Sequence, residues 1–412
     1  MLDSDLTLDD DVVVVVGFGP VGAVAALALA QAGCQVLVLE ADPVIRTDPA
    51  ESRASTFHPP SLEMLDELDV LVELLNTGLV ADTYQIRDRR EGLVASFDLA
   101  LLAGDTRYPF RLQNEQQNLV SIIARRLASS PNVEVILDAR VSGMAVTEAR
   151  VQLTIGPAED PRSVTASWVI AADGADSAIR RGLDVEFAGM TYPERFLVVS
   201  TTQPFDELIP GIAYVNYVTD AERWLVLLRT PRHWRALFPV SGEAEPGDLT
   251  DLQAVQQRLQ RVATLEPGYA ISHVTLYNVH QRVASDFRRG PILLVGDAAH
   301  INNPLGGMGM NSGIHDAMAA VEAVQHAQAG EAVALDRYAT QRRTMALEFV
   351  QTASHRNWEQ LQERDETVRR VRQAYMRAIA ADPVAAREYL LVSSMLAGRS
   401  ARPGRPRERR SS

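Results

Sequence analysis

Apolar positions along the chain fall into blocks of two periods, one suited to strands and one to helices. Residues 12 to 16 are five consecutive valines. A run apolar on both faces predicts a central strand of a parallel sheet. An alanine- and leucine-rich helix follows as far as Gln31, and a second apolar run, Gln35 to Leu39, completes a strand–helix–strand unit. Pro59 and Pro60 make a break, after which Leu62, Leu65 and Leu68 lie on one side of a helix starting at Ser61. Residues 84–110 alternate weakly and read as strands of a second sheet. A helix over Asn118 to Ser129 leads to strands at Val133–Leu137, Arg140–Glu148 and Val151–Ile155, the last two forming a hairpin, and a buried strand begins at Trp168. From Val185 to Arg282 the pattern is strand upon strand: Phe196–Thr202, Gly211–Val218, Trp224–Arg229, Trp234–Val240 and Ile271–Val279, with one helical interruption at Leu249–Val262. Ile292 to Val295 has the length of a buried strand, Ile314, Met318, Val321 and Val324 recur at helical spacing, and the chain beyond residue 316 is mostly helical. The pattern predicts an α/β chain, α+β overall, with a largely antiparallel sheet region inserted into a parallel one.

Composition narrows the function. At 412 residues the chain can hold two cores, and its charged fraction is ordinary for a globular protein. A net charge of −13 argues against a nucleic-acid partner, because no overall basic field exists to hold phosphates. Five acids among the first eleven residues make a solvated lead-in unlike a signal peptide. The longest mostly apolar stretch, Val21 to Ala30, is too short to span a bilayer. A single cysteine, Cys34, rules out an intrachain disulfide and fits a reducing cytoplasm; its expected role is that of a small buried residue. No His/Asp/Glu cluster has metal-ligand spacing, so no metal is expected. The sequence contains no lysine.

Three glycine-bearing stretches carry the candidate chemistry. Gly17-Phe-Gly19-Pro20-Val21-Gly22 follows the valine strand and opens the first helix, which is the setting a dinucleotide fingerprint requires. Gly17 makes the tight turn, Gly19 lets the backbone approach a pyrophosphate, and Gly22 lets helix and strand pack closely. Glu40, 18 residues past Gly22 at the end of the second strand, is placed to accept both hydroxyls of an adenosine ribose. An acid there repels a 2′-phosphate, so this site takes FAD or NAD rather than NADP. The second stretch is Asp173-Gly174, between a buried strand and a short helix at Ser177 to Arg181. The third is Gly296-Asp297-Ala-Ala-His300 with Pro304, Gly306, Gly307, Gly309, Met310 and Asn311: a strand, a glycine-dense loop and a helix start. That arrangement turns backbone N–H groups and a positive helix end toward an anion or an electron-rich ring. Asp297 could accept from a ribose or ribityl hydroxyl.

The run GDAAHxxxPxGGxGxN resembles the second flavin motif of single-component flavoprotein monooxygenases, the aromatic hydroxylases typified by p-hydroxybenzoate hydroxylase. The resemblance covers roughly residues 11 to 345 and implies a Rossmann-like FAD-binding domain interleaved with a mostly antiparallel substrate domain. FAD-binding segments fall at 1–82, 111–184 and 281–345, and substrate-domain strands at 83–110 and 185–280. C-terminal helices at 346–396 and a disordered tail at 397–412 follow. The resemblance assigns Asp297 to the ribityl region, Pro304 to the reacting edge of the flavin, and Gly307, Gly309 and the amides of Met310 and Asn311 to the isoalloxazine. Arg53 matches an arginine that reaches the FAD pyrophosphate, Gln113 a glutamine that contacts FAD, and Asp173-Gly174 the motif beside both pyrophosphate and nicotinamide path. His58 is expected to be a loop residue, and neither His300 nor His280 a catalytic base.

The implied cycle has NADH or NADPH, as transient co-substrate, reduce FAD; O₂ then adds at the flavin C4a position as a hydroperoxide, and its distal oxygen passes to a phenolic or hydroxy-heteroaromatic ring. No second GxGxxG is present, so no separate nicotinamide domain is expected. Candidates for the substrate wall are Tyr214, Asn216, Tyr217, Trp224 and Arg229; strand alternation puts Tyr214 and Asn216 on one face and Tyr217 on the other. Flavin halogenases share these motifs but use a lysine, which this chain lacks. An epoxidase or reductase of the same fold, and a non-catalytic flavin-fold sensor or scaffold, are the competing readings, and a homodimer is left open.

Overall fold

The computed structural model describes residues 5–47, 54–147, 150–157 and 159–397. Arg53 and nearly all of the arginine-rich tail lie outside the described residues.

The nucleotide sheet has the spatial order Arg288–Arg289, Ile292–Leu294, Trp168–Ala171, Val13–Val16, Val36–Leu39, Val133–Ile136. All its pairings are parallel except that of the short Arg288–Arg289 edge. Val13–Val16 sits in the interior of this sheet and is buried along its whole length, as a strand covered on both faces must be. The helix Pro20–Gln31 packs between Gln116–Leu127 and the long helix Met308–Gln328. Alanine at five of its twelve positions lets those neighbours approach closely.

The second sheet has eight strands, in the order His300–Ile301, Ile271–Ala284, Phe187–Thr201, Trp234–Ser241, Leu225–Arg229, Val215–Thr219, Thr83–Asp88, Gly92–Asp98. Its pairings are antiparallel except that of Val215–Thr219 with Thr83–Asp88. One face, with Leu197, Leu225, Leu227 and Ala236, packs on Phe205 and the helices after residue 245. The other face looks toward the glycine loop through Leu305 and toward the C-terminal helices Thr352–Gln362, Glu366–Ala381 and Pro383–Ser393. The edge pair Arg282↔Ile301 and Val283↔His300 ties this sheet directly to the segment carrying the third glycine stretch.

Two strands run longer than the sequence pattern predicts, Phe187–Thr201 and Ile271–Ala284, and three further elements differ for a local reason. The helix after the two prolines begins at Pro59 rather than Ser61, because proline in a first turn lacks only an N–H that would be unpaired anyway. The interruption at 249–262 is two helices, Pro246–Thr250 and Leu252–Gln260. They part at Asp251, whose side chain caps the second by accepting from the Ala254 amide at 3.0 Å. The strand expected at Gly211–Val218 is Val215–Thr219, since its register is set by Thr83–Asp88.

Candidate active site

The first glycine stretch divides its work between packing and an open cradle. A Cβ at Gly22 would lie 2.0 Å from the Gly17 carbonyl oxygen, and one at Gly17 would lie 2.5 Å from the Ala172 oxygen. A Cβ at Gly19 would meet no protein atom within 4 Å. Gly19 is therefore not required by the protein's own packing; its bareness serves whatever approaches the loop. The helix starting at Pro20 has no side-chain cap and no acid in its first turn, so its positive end is open. Val21 fills the space between Gly296 and Gly313, where added Cβ atoms would lie 3.0 and 2.5 Å from its Cγ2. Its side chain thus joins the first and third glycine stretches. Glu40 accepts from the Phe18 amide through Oε2 at 2.6 Å and from the Asp42 amide through Oε1 at 2.9 Å. Each oxygen retains a lone pair for a ligand hydroxyl.

Asp173 lies against the same loop: a Cβ at Gly17 would come 3.2 Å from its Cα. Its Oδ2 accepts from the Ile179 amide at 3.1 Å, while Oδ1 is buried without a partner. Burial pushes its carboxyl above the ordinary range, against hydrogen bonds from Ser177 and the short helix's amides. A Cβ at Gly174 would again meet nothing.

In the third stretch, Asp297 is exposed on a 3₁₀ turn, Gly296–Ala298. The Gly296 amide is held by Oδ2 of Asp316 at 3.1 Å. That fully buried carboxylate also takes His300 Nε2 at 2.7 Å and Arg342 Nε at 2.6 Å. His300 is structural. Pro304 is bracketed by Asn303, whose Nδ2 donates to the Tyr192 hydroxyl at 3.0 Å and the Ser354 carbonyl at 3.1 Å, and whose Oδ1 accepts from Leu305. Gly307, at φ +66°, starts the helix Met308–Gln328 with no side-chain cap and no acid in the first turn. The amides of Met308, Gly309 and Met310 then have no partner within the helix. The Asn311 amide is the first that the helix itself can pair. Asn311 contributes through its buried side chain instead: Oδ1 accepts from the His58 amide at 2.8 Å, and Nδ2 donates to the carbonyls of Thr56 at 2.8 Å and Gly307 at 2.7 Å.

His58 is not a simple loop residue. It is fully buried, and its Nε2 donates to the Gly306 carbonyl at 2.8 Å. Burial holds its pKa well below the ordinary value, and Arg111 adds to this, so the ring is neutral. Beside it Gln113, also fully buried, accepts from Thr56 Oγ1 at 3.0 Å and leaves Nε2 unpaired.

Next to Gly306 and Met308 lies a cavity of about 170 Å³ between the eight-stranded sheet and the C-terminal helices. Tyr84, Tyr217 and Tyr389 give it an aromatic wall. Of the five residues expected to face substrate, only Tyr217 borders it. Tyr214 is 36% exposed, outside the strand. Asn216 is buried on the opposite face, bonded to the carbonyls of Ala213 and Leu227. Trp224 packs edge-on against Phe196, ring centroids 5.6 Å apart, and Arg229 ends its strand away from the cavity. Alternation explains the split: Tyr217 and Thr219 pair with Ile86 and Asp88 and share their face. Sequence reasoning missed Tyr84, Arg111 and Tyr389. The one available signal was the spacing of Gln373, Met376 and Ile379 along an amphipathic helix that buries this face.

The open cradle at Gly19 and Gly174, the uncapped helix ends, and the unpaired Gln113 Nε2 and Asp173 Oδ1 together fit a long dinucleotide with a polar ring system. Fold and site thus define a flavin-dependent oxidoreductase. The family model described as FAD binding domain matches residues 10–353, and the chain belongs to that family. It is 32% identical over 399 residues to para-nitrophenol 4-monooxygenase of Pseudomonas sp. (strain WBC-3), covering 94% of this chain and 96% of that protein. It is 33% identical over 350 residues to 6-hydroxy-3-succinoylpyridine 3-monooxygenase HspB of Pseudomonas putida (strain DSM 28022 / S16), covering 82% and 86%. The crystal structure of p-nitrophenol 4-monooxygenase PnpA from Pseudomonas putida DLL-E4 superposes with a TM-score of 0.89 at 31% identity, covering 96% of this chain and 99% of that one. The protein is an FAD-dependent aromatic monooxygenase, and FAD is its cofactor.

Proposed function

We propose that this enzyme uses NADH or NADPH and O₂ to hydroxylate a phenolic or hydroxy-heteroaromatic small molecule in the cavity beside Gly306. The observation that carries this reading is that aromatic-walled cavity, adjoining the loop that the family's motif assigns to the flavin ring. Bound FAD supplies electron acceptance from the nicotinamide and activation of O₂. The chain supplies position, charge and dryness. Gly17, Gly19, Pro20 and Val21 with Gly22 present the first helix end to the pyrophosphate, with Arg53 and Asp173-Gly174 beside it. Glu40 takes the adenosine ribose, and Asp297 and Gln113 the ribityl chain. Gly307, Gly309 and the Met310 amide face the ring, with Asn311 fixing the loop from behind. Asn303 holds Pro304 at the ring edge. Burial keeps the Tyr84 and Tyr389 phenols protonated, and Tyr84 donates its proton to Ser393 Oγ at 3.2 Å. Sheet and C-terminal helices keep water from the reacting atoms.

The same reading has FAD-binding segments at 1–82, 111–184 and 281–345 around substrate strands at 83–110 and 185–280. It makes the enzyme cytoplasmic and free of nucleic-acid partners, which the single cysteine and the net charge of −13 support.

Anaerobic reduction by NADH and by NADPH, with and without 4-nitrophenol and hydroxypyridines, tests the proposal. A ring compound should speed reduction many-fold, and with ¹⁸O₂ the product should carry one labelled oxygen. Fast reduction that no aromatic alters, with no hydroxylated product, would mean a reductase. A protein that takes up no FAD would sink the reading altogether.

A further inference from the structure

Arg111 is 2% exposed, yet only one of its nitrogens is bonded: Nη2 donates to the Ser393 carbonyl at 3.0 Å. Nε and Nη1 are buried without a partner. Its guanidinium carbon lies over the Tyr84 ring, 4.4 Å from the centroid. Four arginines line the cavity, Arg111, Arg356, Arg369 and Arg372, and no carboxylate among the described residues does. Arg369 is answered from outside the wall by Asp88 at 2.7 Å, and Arg372 donates to the Gln360 carbonyl at 3.2 Å. In a protein of net charge −13, a cavity with this wall is a local reversal of sign. Two guanidinium donors left unpaired in a buried site are costly unless something accepts from them.

We propose that Arg111 is the anion receptor of the substrate cavity, and that the enzyme takes its aromatic substrate with an oxyanion, a phenolate or a ring carboxylate, on one of these two free donors. The inference rests on the proposed function for the identity of the cavity and adds the charge state and orientation of what enters it. Nε–H and Nη1–H point to opposite sides of the guanidinium, so the anion takes a charge-assisted hydrogen bond from one of them, which either a phenolate or a carboxylate oxygen can accept. The anion then lies at the Arg111 end, and the rest of the ring extends toward Tyr217 and the loop at Gly306.

Equilibrium binding to the FAD-loaded protein, by calorimetry without nicotinamide, separates this from turnover. The probes are 4-nitrophenol at a pH where it is ionised, benzoate, and nitrobenzene as the neutral ring. The parent should bind at least one of the two anions about tenfold or more tighter than nitrobenzene, and which one tells phenolate from carboxylate. Arg111→Gln should weaken that anion roughly 30-fold, the value of a charge-assisted pair. Nitrobenzene binding and FAD affinity should stay within about threefold, on the same scale. Arg111→Lys, which keeps the charge and loses the guanidinium geometry, should fall between, and Arg377→Gln, outside the cavity and paired with Glu91 at 2.8 Å, should change little. Should Arg111→Gln not fold, the parent's preference and the lysine variant still decide. Equal binding of anions and nitrobenzene by the parent would overturn the proposal. So would an Arg111→Gln protein that loses FAD but keeps its anion preference, since the guanidinium would then belong to the flavin. Preserved anion binding with no turnover would instead count against the hydroxylase reading alone.

Discussion

Replacing Asp316 with asparagine isolates the charge at the hub of the third glycine stretch. The carboxylate is fully buried and accepts from the Gly296 amide, His300 Nε2 and Arg342 Nε. Asparagine keeps the shape but loses the charge, leaving Arg342 facing an amide. Removing one partner of a buried ion pair costs about 3–5 kcal/mol. Arg342 retains 13% side-chain exposure and a weak contact with Ser312 at 3.4 Å, so it can recover some hydration. The low end, about 3 kcal/mol, is the expected loss. Urea unfolding measures it on FAD-free protein, where cofactor binding does not add its own stabilisation. FAD affinity should fall as well, because the Gly296 amide anchors the turn that carries Asp297. In a cycle with Arg342→Met, the double variant should be clearly less damaged than the sum of the singles. An Asp316→Asn protein within about 1 kcal/mol of the parent, or an additive cycle, would refute the claim that this charge network stabilises the loop.

Other substitutions read different parts of the site. Gly19→Ala should leave FAD-free stability nearly unchanged and weaken FAD binding at least tenfold by titration, whereas Gly22→Ala should destabilise the apoprotein itself, because its Cβ would lie 2.0 Å from the Gly17 oxygen. Asn311→Ala should cost about 2–4 kcal/mol in urea unfolding, since it leaves the His58 amide and the Thr56 carbonyl without their Asn311 partner in a buried site. Burial pushes the Asp316 carboxyl up, but Arg342 and His300 pull it further down, leaving it below its ordinary value. Its stabilisation is therefore fully present above the ordinary carboxylate range and is lost as pH falls through the lower folded-state value. The acid limb of the parent's stability profile should be steeper than that of Asp316→Asn.

The parts of this site visible in sequence are those that covalent neighbours specify. The fingerprint from Gly17 to Gly22 sits between a strand and a helix that it helps to create, and Glu40 follows at the end of the next strand. Asp173 and Asp297 likewise stand at strand ends. The substrate side is assembled from distant pieces. Arg111 meets Tyr84 and the Ser393 carbonyl, 27 residues before it and 282 after it, and no local pattern links them. Which face of Val215–Thr219 looks into the cavity depends on a parallel neighbour from residues 83–88, so alternation alone could split the candidates but not choose between them. His58 and Asn303 are polar residues in apparent loops, and only their buried hydrogen bonds distinguish them from surface ones.

The strand order of the nucleotide sheet also governs when the protein can acquire its cofactor. Val13–Val16 lies beside Trp168–Ala171, which in turn lies beside Ile292–Leu294. On the ribosome, at about 5–20 residues per second, the last of these strands follows the first by about 15–55 s. Until then Trp168–Ala171 lacks the partner on its far side, and Pro20–Gln31 lacks the helix Met308–Gln328 that packs on it. The eight-stranded sheet is made in between and can pair most of its strands first. Flavin loading is therefore a late event in biogenesis, and a nascent chain halted before residue 294 should hold no FAD and should leave one edge of Trp168–Ala171 unpaired.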